Sequence, residues 1–69
     1  MTGDFEVKRV GNRLKRARKR AGLSQGETAT QALVSQPLLS ECENGNRPLY
    51  PALRKRLAKI LAIDESELE

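Results

Sequence analysis

Amide and carboxylate side chains are concentrated in one short stretch of this basic chain, VSQPLLSECENG at residues 34–45. The stretch contains two glutamates and no lysine or arginine. A side-chain amide can pair with adenine through two hydrogen bonds, and a carboxylate can accept one from cytosine, although phosphate repels it. The available chemistry is therefore recognition by hydrogen bonding, and its use depends on the elements that hold these groups.

The sequence contains no set of residues suited to catalysis or to metal binding. It has no histidine and one cysteine, Cys42, and no nucleophile has an identifiable base beside it. Acid–base and nucleophilic mechanisms require such groups. We therefore expect no enzyme and no metal, cofactor or small-molecule ligand, and we expect Cys42 to be a small core hydrophobe.

Length and composition predict one small domain. A chain of 69 residues buries only about 60% of the surface that it exposes when unfolded. One cysteine allows no internal disulfide, and no apolar run is long enough for a membrane span or a signal peptide. We expect a cytoplasmic protein that does not enter a membrane.

The charged residues occur in blocks. The net charge is +4, with eight cations and no acid at residues 8–20, three acids and no cation at 21–46, and five cations and no acid at 47–59. This distribution favours a polyanion as partner. For any single cation, a solvated helix face is an equally good interpretation.

Apolar spacing predicts the first and fourth helices. An apolar stripe with steps of three and four residues predicts a helix at about 8–21 that ends at Gly22. The stripe consists of Val7, Val10, Leu14, Ala17 and Ala21. Residues 1–7 are then expected to form a disordered arm. A second stripe predicts a helix at about 51–61.

Capping residues predict three more helix starts, near residues 25, 36 and 65. The N-caps are Ser24, Ser35 and Asp64, and two of them have Glu three positions later, as in a capping box. The helix that starts near residue 36 should end at Asn44-Gly45. With no strand pattern in the sequence, the predicted fold is all-α.

These segments resemble the phage-repressor family of the Cro/cI type, the XRE family. The residues that carry the resemblance are Gly22-Leu23-Ser24-Gln25, Glu27, Ala29, Val34-Ser35-Gln36, Glu43-Asn44-Gly45 and Leu57-Ala58. The resemblance implies a compact lambda-repressor-like domain of four to five helices at residues 8–69, with a helix-turn-helix. It also implies a transcriptional regulator, specifically a repressor, that binds double-stranded DNA at a palindromic operator as a homodimer.

Two interhelix turns depart from the family pattern, because Leu33 and Ala62 stand where glycine is usual. A left-handed conformation costs a residue with a Cβ about 1–2 kcal/mol. We therefore predict that one or both turns avoid positive φ. Thr28 and Ala32 replace larger apolar residues and predict a thin core under the second helix.

The resemblance places the helix at 36–43 in the major groove. Expected base contacts come from Gln36, Pro37, Leu38 and Glu41. Leu38 is equally well interpreted as core, and Glu41 as a solvated or intramolecularly paired carboxylate. Expected phosphate contacts come from Arg13, Ser24, Gln25, Asn44 and Arg47, with most cations of residues 8–20 facing away from the duplex.

Some residues have structural interpretations instead. By the resemblance, Arg18 and Glu43 form an ion pair that ties the recognition helix to the first helix. Ile63 and Leu68 are candidates either for dimer contacts or for closing the core. The competing functional hypothesis is a protein-interaction module, an antitoxin-like or degenerate helix-turn-helix, which the acidic middle block and Glu41 favour.

Overall fold

Residues 2–69 fold into four α-helices and one short 3-10 helix. The computed structural model describes the backbone of residues 2–69 and the side chains of residues 5–69. The helices are α1 (Thr2–Arg20), α2 (Gln25–Gln31), α3 (Gln36–Glu43) and α4 (Pro51–Leu61), and the 3-10 helix is Glu65–Leu68. This part of the chain contains no strand, so the predicted all-α fold is confirmed. None of its helices is long and apolar enough to cross a membrane.

The first helix starts earlier than predicted. We expected an arm at residues 1–7, but α1 is helical from Thr2, and Met1 lies outside the described residues. Glu6 forms an ion pair with Arg9, one turn later, at 2.7 Å. Acidic residues near a helix N-terminus and ion pairs at this spacing both stabilise a helix. These effects extend the helix beyond its apolar stripe.

Leucines from four of the five elements form the centre of the core. Five are fully or almost fully buried, namely Leu14, Leu39, Leu53, Leu57 and Leu68. Leu68 packs the 3-10 helix against α1 and α4, so it closes the core and is not available to a second copy. Beneath α2 the buried residues are Thr28, Ala29 and Ala32, so the predicted thin core is present there.

The four α-helices of the described chain all end in the same way, at a residue with positive φ: Gly22, Leu33, Gly45 and Ala62. After α2, the Leu33 amide donates to the Thr30 carbonyl at 3.2 Å, and the Val34 amide donates to the Ala29 carbonyl at 3.0 Å. This pair of bonds is a Schellman motif, which satisfies carbonyls that a helix end leaves free.

The prediction that the turns at Leu33 and Ala62 avoid positive φ was wrong. The φ angle is 62° at Leu33 and 55° at Ala62. In both turns the next residue, Val34 or Ile63, is apolar and packs against the core. This contact, together with the two hydrogen bonds of the motif, holds the left-handed conformation without glycine.

The capping boxes differ in outcome. The Glu27 amide donates to Ser24 Oγ at 3.0 Å, and the Ser24 amide donates to Glu27 Oε1 at 2.9 Å. The hydrogen bond from the Ser24 amide lowers the pKa of the Glu27 carboxyl. The box predicted at Asp64 does not form, since Asp64 makes no capping bond and the segment is a 3-10 helix. Its neighbour Glu65 instead accepts a hydrogen bond from Arg54 of α4 at 3.0 Å.

Candidate nucleic-acid interface

One face of α3 is directed away from the protein. Its exposed residues are Gln36, Pro37, Glu41 and Asn44, with the half-buried Ser40 among them. Its opposite side buries Leu39, Cys42 and Glu43. This division follows the helical period, because residues three and four apart lie on the same face. The outward face of α3, as we name these five residues, is therefore a continuous surface that is polar except at Pro37.

The N-terminus of α3 is well defined. Ser35 is the N-cap, and its hydroxyl accepts a hydrogen bond from the Leu38 amide at 3.2 Å. Pro37 lies in the first turn, where it has no helical hydrogen bond to lose. The side chains of Gln36 and Pro37 are thus presented from a fixed helix end.

Leu38 lies beside this face, and Ser40 lies within it. Leu38 is half-buried, and it is not one of the half-buried residues that pack against the core cluster. The Ser40 hydroxyl accepts a hydrogen bond from Asn44 at 3.4 Å. We did not predict Ser40 from the sequence, although its position four residues after Gln36 would have placed it on the same face.

The ion pair that the resemblance implied is present in the structure. Arg18 Nε lies 2.6 Å from Glu43 Oε2, and Arg18 Nη2 lies 3.2 Å from Glu43 Oε1. Only 10% of the Arg18 side chain and 2% of the Glu43 side chain are exposed. Arg18 also donates to the Leu23 carbonyl at 2.8 Å, so one guanidinium links α1, the turn before α2, and α3.

A chain of hydrogen bonds continues from this buried pair to the surface. Gln25 Nε2 donates to Glu43 Oε1 at 3.2 Å, and Gln36 Nε2 donates to Gln25 Oε1 at 3.4 Å. Gly26 lies under the Gln36 side chain, since a Cβ at Gly26 would be 3.4 Å from Gln36 Oε1. The amide at the start of α3 is therefore positioned by α2 and, through Glu43, by α1.

Close packing also fixes α3 against α1. A Cβ at Gly11 would meet the carbonyl oxygens of Cys42 and Glu43, so glycine is required where the two helices cross. After α3, Gly45 has a φ of +76° and lies against the Lys8 side chain. Burial raises the pKa of the Cys42 thiol, which is 2% exposed, as expected for a core residue.

Most of the predicted phosphate contacts lie close to α3, but Arg13 does not. Ser24 and Gln25 begin α2, and Asn44 and Arg47 follow the end of α3. Arg13 lies about 200° around the helix axis from Gly11, which contacts α3. It lines a shallow groove with Arg16, Arg20 and other residues, including Glu67 of the 3-10 helix. The structure therefore places Arg13 on the far side of α1 from α3.

Glu41 and Arg47 form an ion pair on the surface. Arg47 Nε lies 2.7 Å from Glu41 Oε1, and about half of each side chain is exposed, 53% and 47%. The hydrogen bond with Glu41 raises the pKa of the Arg47 guanidinium. Of the alternatives that the sequence left open for Glu41, this structure has the intramolecular pair.

A family profile described as "Helix-turn-helix domain" matches residues 9–69. The chain belongs to the helix-turn-helix domain family. No curated protein matches this helix-turn-helix protein. The family, with its recognition unit formed by α2 and α3, confirms the resemblance drawn from the sequence.

Solved structures of two other proteins share the fold of this helix-turn-helix protein. The restriction-modification controller protein C.AhdI from Aeromonas hydrophila is 28% identical, with a TM-score of 0.85 over 91% of this chain and 96% of that chain. The clp gene regulator ClgR from Corynebacterium glutamicum is 24% identical, with a TM-score of 0.87 over 91% of this chain and 67% of that chain. A second ClgR structure is also 24% identical, with a TM-score of 0.84, and is covered to 82%.

Family and fold together make this helix-turn-helix protein a DNA-binding transcription regulator and not an enzyme. Its recognition unit has no cation of its own, since residues 21–46 contain no lysine or arginine. Among the ion pairs of the described residues, only the Glu41–Arg47 pair includes a residue of the outward face.

Proposed function

We propose that the protein is a sequence-specific repressor that reads the major groove of double-stranded DNA with the outward face of α3. The observation that carries this proposal is the geometry of Gln36, an exposed amide at a capped helix end, connected through Gln25 to the buried Arg18–Glu43 pair. A positioned amide loses little conformational freedom when it binds, so its hydrogen bonds can discriminate between bases.

The base-reading residues are Gln36, Pro37, Leu38 and Glu41. Gln36 can pair with adenine N6 and N7, and Pro37 or Leu38 can contact a thymine methyl. A good bidentate pair discriminates against the wrong base by about 1–3 kcal/mol. Glu41 can accept a hydrogen bond from cytosine N4. We add Ser40, because it lies between Gln36 and Asn44 on the same face.

The phosphate contacts come from Ser24, Gln25, Asn44 and Arg47, which flank the outward face of α3. Such contacts hold the protein in register without reading sequence. Arg13 is left out of this set, because it lies on the opposite side of α1 from α3. Because these flanking residues contact the phosphates while α3 contacts the bases, the recognition helix needs no cation of its own.

A single domain of this size contacts few phosphates, so we propose that the protein binds a palindromic operator as a homodimer. We propose the cytoplasm as its location. In dimeric helix-turn-helix proteins the two half-sites are about 34 Å apart, one turn of DNA. Ile63 remains a candidate for the dimer contact, since it is half-buried next to the core.

The decisive experiment selects bound sequences from a pool of random DNA duplexes. We expect a palindrome with two half-sites, and we expect Gln36→Ala to lose the base preference at one position of each half-site while it still binds duplex. Retention of the wild-type preference by Gln36→Ala would show that α3 does not read the bases.

The alternative, a protein-interaction module, is favoured by the exposed acid Glu41 and by the lack of cations at residues 21–46. Salt dependence separates the two functions. For a DNA-binding protein, the logarithm of the binding constant falls linearly with the logarithm of the salt concentration, with a slope of about −0.9 for each phosphate neutralised. If the protein binds no duplex with this salt dependence, the alternative function is favoured.

A further inference from the structure

The Glu41–Arg47 ion pair joins two residues that have opposite effects on DNA binding. Glu41 lies on the outward face of α3, and Arg47 lies in the loop after Gly45. Phosphate attracts a guanidinium and repels a carboxylate. While the two are 2.7 Å apart, each partly cancels the charge that the other presents to a duplex.

Arg47 has more than one possible use. The Nε atom donates to Glu41, so while the pair is closed this N–H is withheld from a phosphate and the carboxylate partly neutralises the guanidinium. Both side chains are about half exposed, so the pair is in contact with water and can exchange partners readily. A competing acceptor for Arg47, or a competing donor for Glu41, is therefore enough to open the pair.

We propose that Glu41 restrains Arg47 on DNA of the wrong sequence and releases it on the operator. On the operator, Glu41 accepts a hydrogen bond from a cytosine N4 group, and Arg47 moves to a phosphate. On other duplexes no donor replaces Arg47, so the pair stays closed and one phosphate contact is withheld. The mechanism rests on the proposed DNA-binding function and assigns Glu41 the role of coupling a base contact to a phosphate contact.

This mechanism also accounts for the position of a carboxylate on a surface that must approach DNA. A glutamine at residue 41 would avoid repulsion by phosphate but would leave Arg47 free on every sequence. Glu41 therefore weakens binding to duplexes that lack the matching cytosine, and the protein gains discrimination from a difference between two affinities.

The test measures the salt dependence of binding for the wild type, Glu41→Gln, Arg47→Met and the double variant. Each is titrated with the selected operator and with a non-operator duplex of the same length. On the non-operator duplex, we expect Glu41→Gln to steepen the slope by about 0.9 and to raise affinity roughly 5- to 10-fold at 0.1 M salt. We expect the double variant to lose this increment, because the increment comes from Arg47.

On the operator, Glu41→Gln is expected to keep the wild-type slope but to bind more weakly, because Arg47 already contacts phosphate and the charge-assisted hydrogen bond to cytosine is replaced by a weaker one from an amide oxygen. The ratio of operator to non-operator affinity therefore falls. The matched control is Glu6→Gln, which breaks an ion pair of the same 2.7 Å length on α1. Releasing Arg9 is expected to leave both slopes unchanged.

Two results would overturn the mechanism while leaving the DNA-binding function intact. One is a non-operator slope that Glu41→Gln does not change. The other is an increment that persists in the double variant, since Glu41 would then act through its own charge alone. If the affinity of the wild type for both duplexes lacks this dependence on salt concentration, the proposed DNA-binding function fails as well. The failure of the mechanism and the failure of the function are therefore distinguishable.

Discussion

At the scale of single residues, the buried Arg18–Glu43 pair fixes the orientation of α3. Removing one partner leaves the other charged and almost without water, because the two side chains are only 10% and 2% exposed. We expect Glu43→Ala to lower the free energy of unfolding by about 3–5 kcal/mol, measured by urea denaturation. An unchanged melting temperature would contradict the structural role of the pair.

Two further variants separate this effect from the loss of contacts. The double variant Arg18→Met/Glu43→Leu leaves no buried charge, and it should recover much of the stability lost by Glu43→Ala. Glu41→Ala, which removes an acid from the exposed side of the same helix, should change stability little. A double variant as unstable as Glu43→Ala would mean that packing, and not charge, is decisive.

Residue pairs differed in how far the sequence predicted them. Arg18 and Glu43 followed from the family resemblance, because their positions match its motif. An intramolecular pair was one of the alternatives for Glu41, but its partner Arg47 was not predicted. The Glu41–Arg47 contact depends on the turn at Gly45, whose φ of +76° brings the following loop back toward the last turn of α3. Loop geometry of this kind is set by packing and is not visible in helical periodicity.

At the scale of elements, the turn after α2 carries strain that glycine would relieve. Leu33 has a φ of 62° and is 78% exposed, so its side chain contributes little packing. Relief of about 1–2 kcal/mol exceeds the entropy cost of glycine, and we expect Leu33→Gly to stabilise the fold by roughly 0.5–1 kcal/mol. The measurement is thermal unfolding, with a rise of about 4 °C in Tm.

The control for this variant is Gln31→Gly, an exposed position in the last turn of α2. Glycine in a helical conformation gains nothing from its freedom at positive φ, so this change should lower stability by up to about 1 kcal/mol. If Leu33→Gly is also destabilising, the exposed leucine has a packing role that outweighs its backbone strain.

The crossing of α1 and α3 gives a second prediction at this scale. Gly11→Ala places a methyl group against the Cys42 and Glu43 carbonyls, which cannot rotate away. We expect a loss of about 1–3 kcal/mol in urea denaturation, although alanine is the better helix former. Gly26→Ala is the matched control. Its Cβ meets only the end of the Gln36 side chain at 3.4 Å, so helix propensity should dominate and stability should rise.

Helix starts and ends were predictable wherever a local pattern determines them. Ser24 and Ser35 as N-caps, and Gly22 and Gly45 as ends, stand in the structure as the sequence indicated. The conformation of Leu33 was not predictable from local rules, because it depends on the packing of Val34 against a distant core.

At the scale of the whole molecule, the basic charge is divided between the two sides of α1. Arg18 faces α3 and is neutralised by Glu43, whereas Arg13, Arg16 and Arg20 line a groove beside the 3-10 helix. The sequence predicted that most of these cations face away from a duplex, but it placed Arg13 among the phosphate contacts. The direction of Arg13 became clear only from the contact between Gly11 and α3.

This arrangement predicts that most of the positive charge does not contribute to phosphate contacts. The salt slope counts contacts and not net charge, so the triple variant Arg13→Gln/Arg16→Gln/Arg20→Gln should keep the wild-type slope on the operator. Arg47→Gln, which removes one cation in place of three, should reduce the slope by about 0.9. If the triple variant lost a slope of about 2 or more, the groove between α1 and the 3-10 helix would face DNA, and α3 would be oriented differently on the duplex.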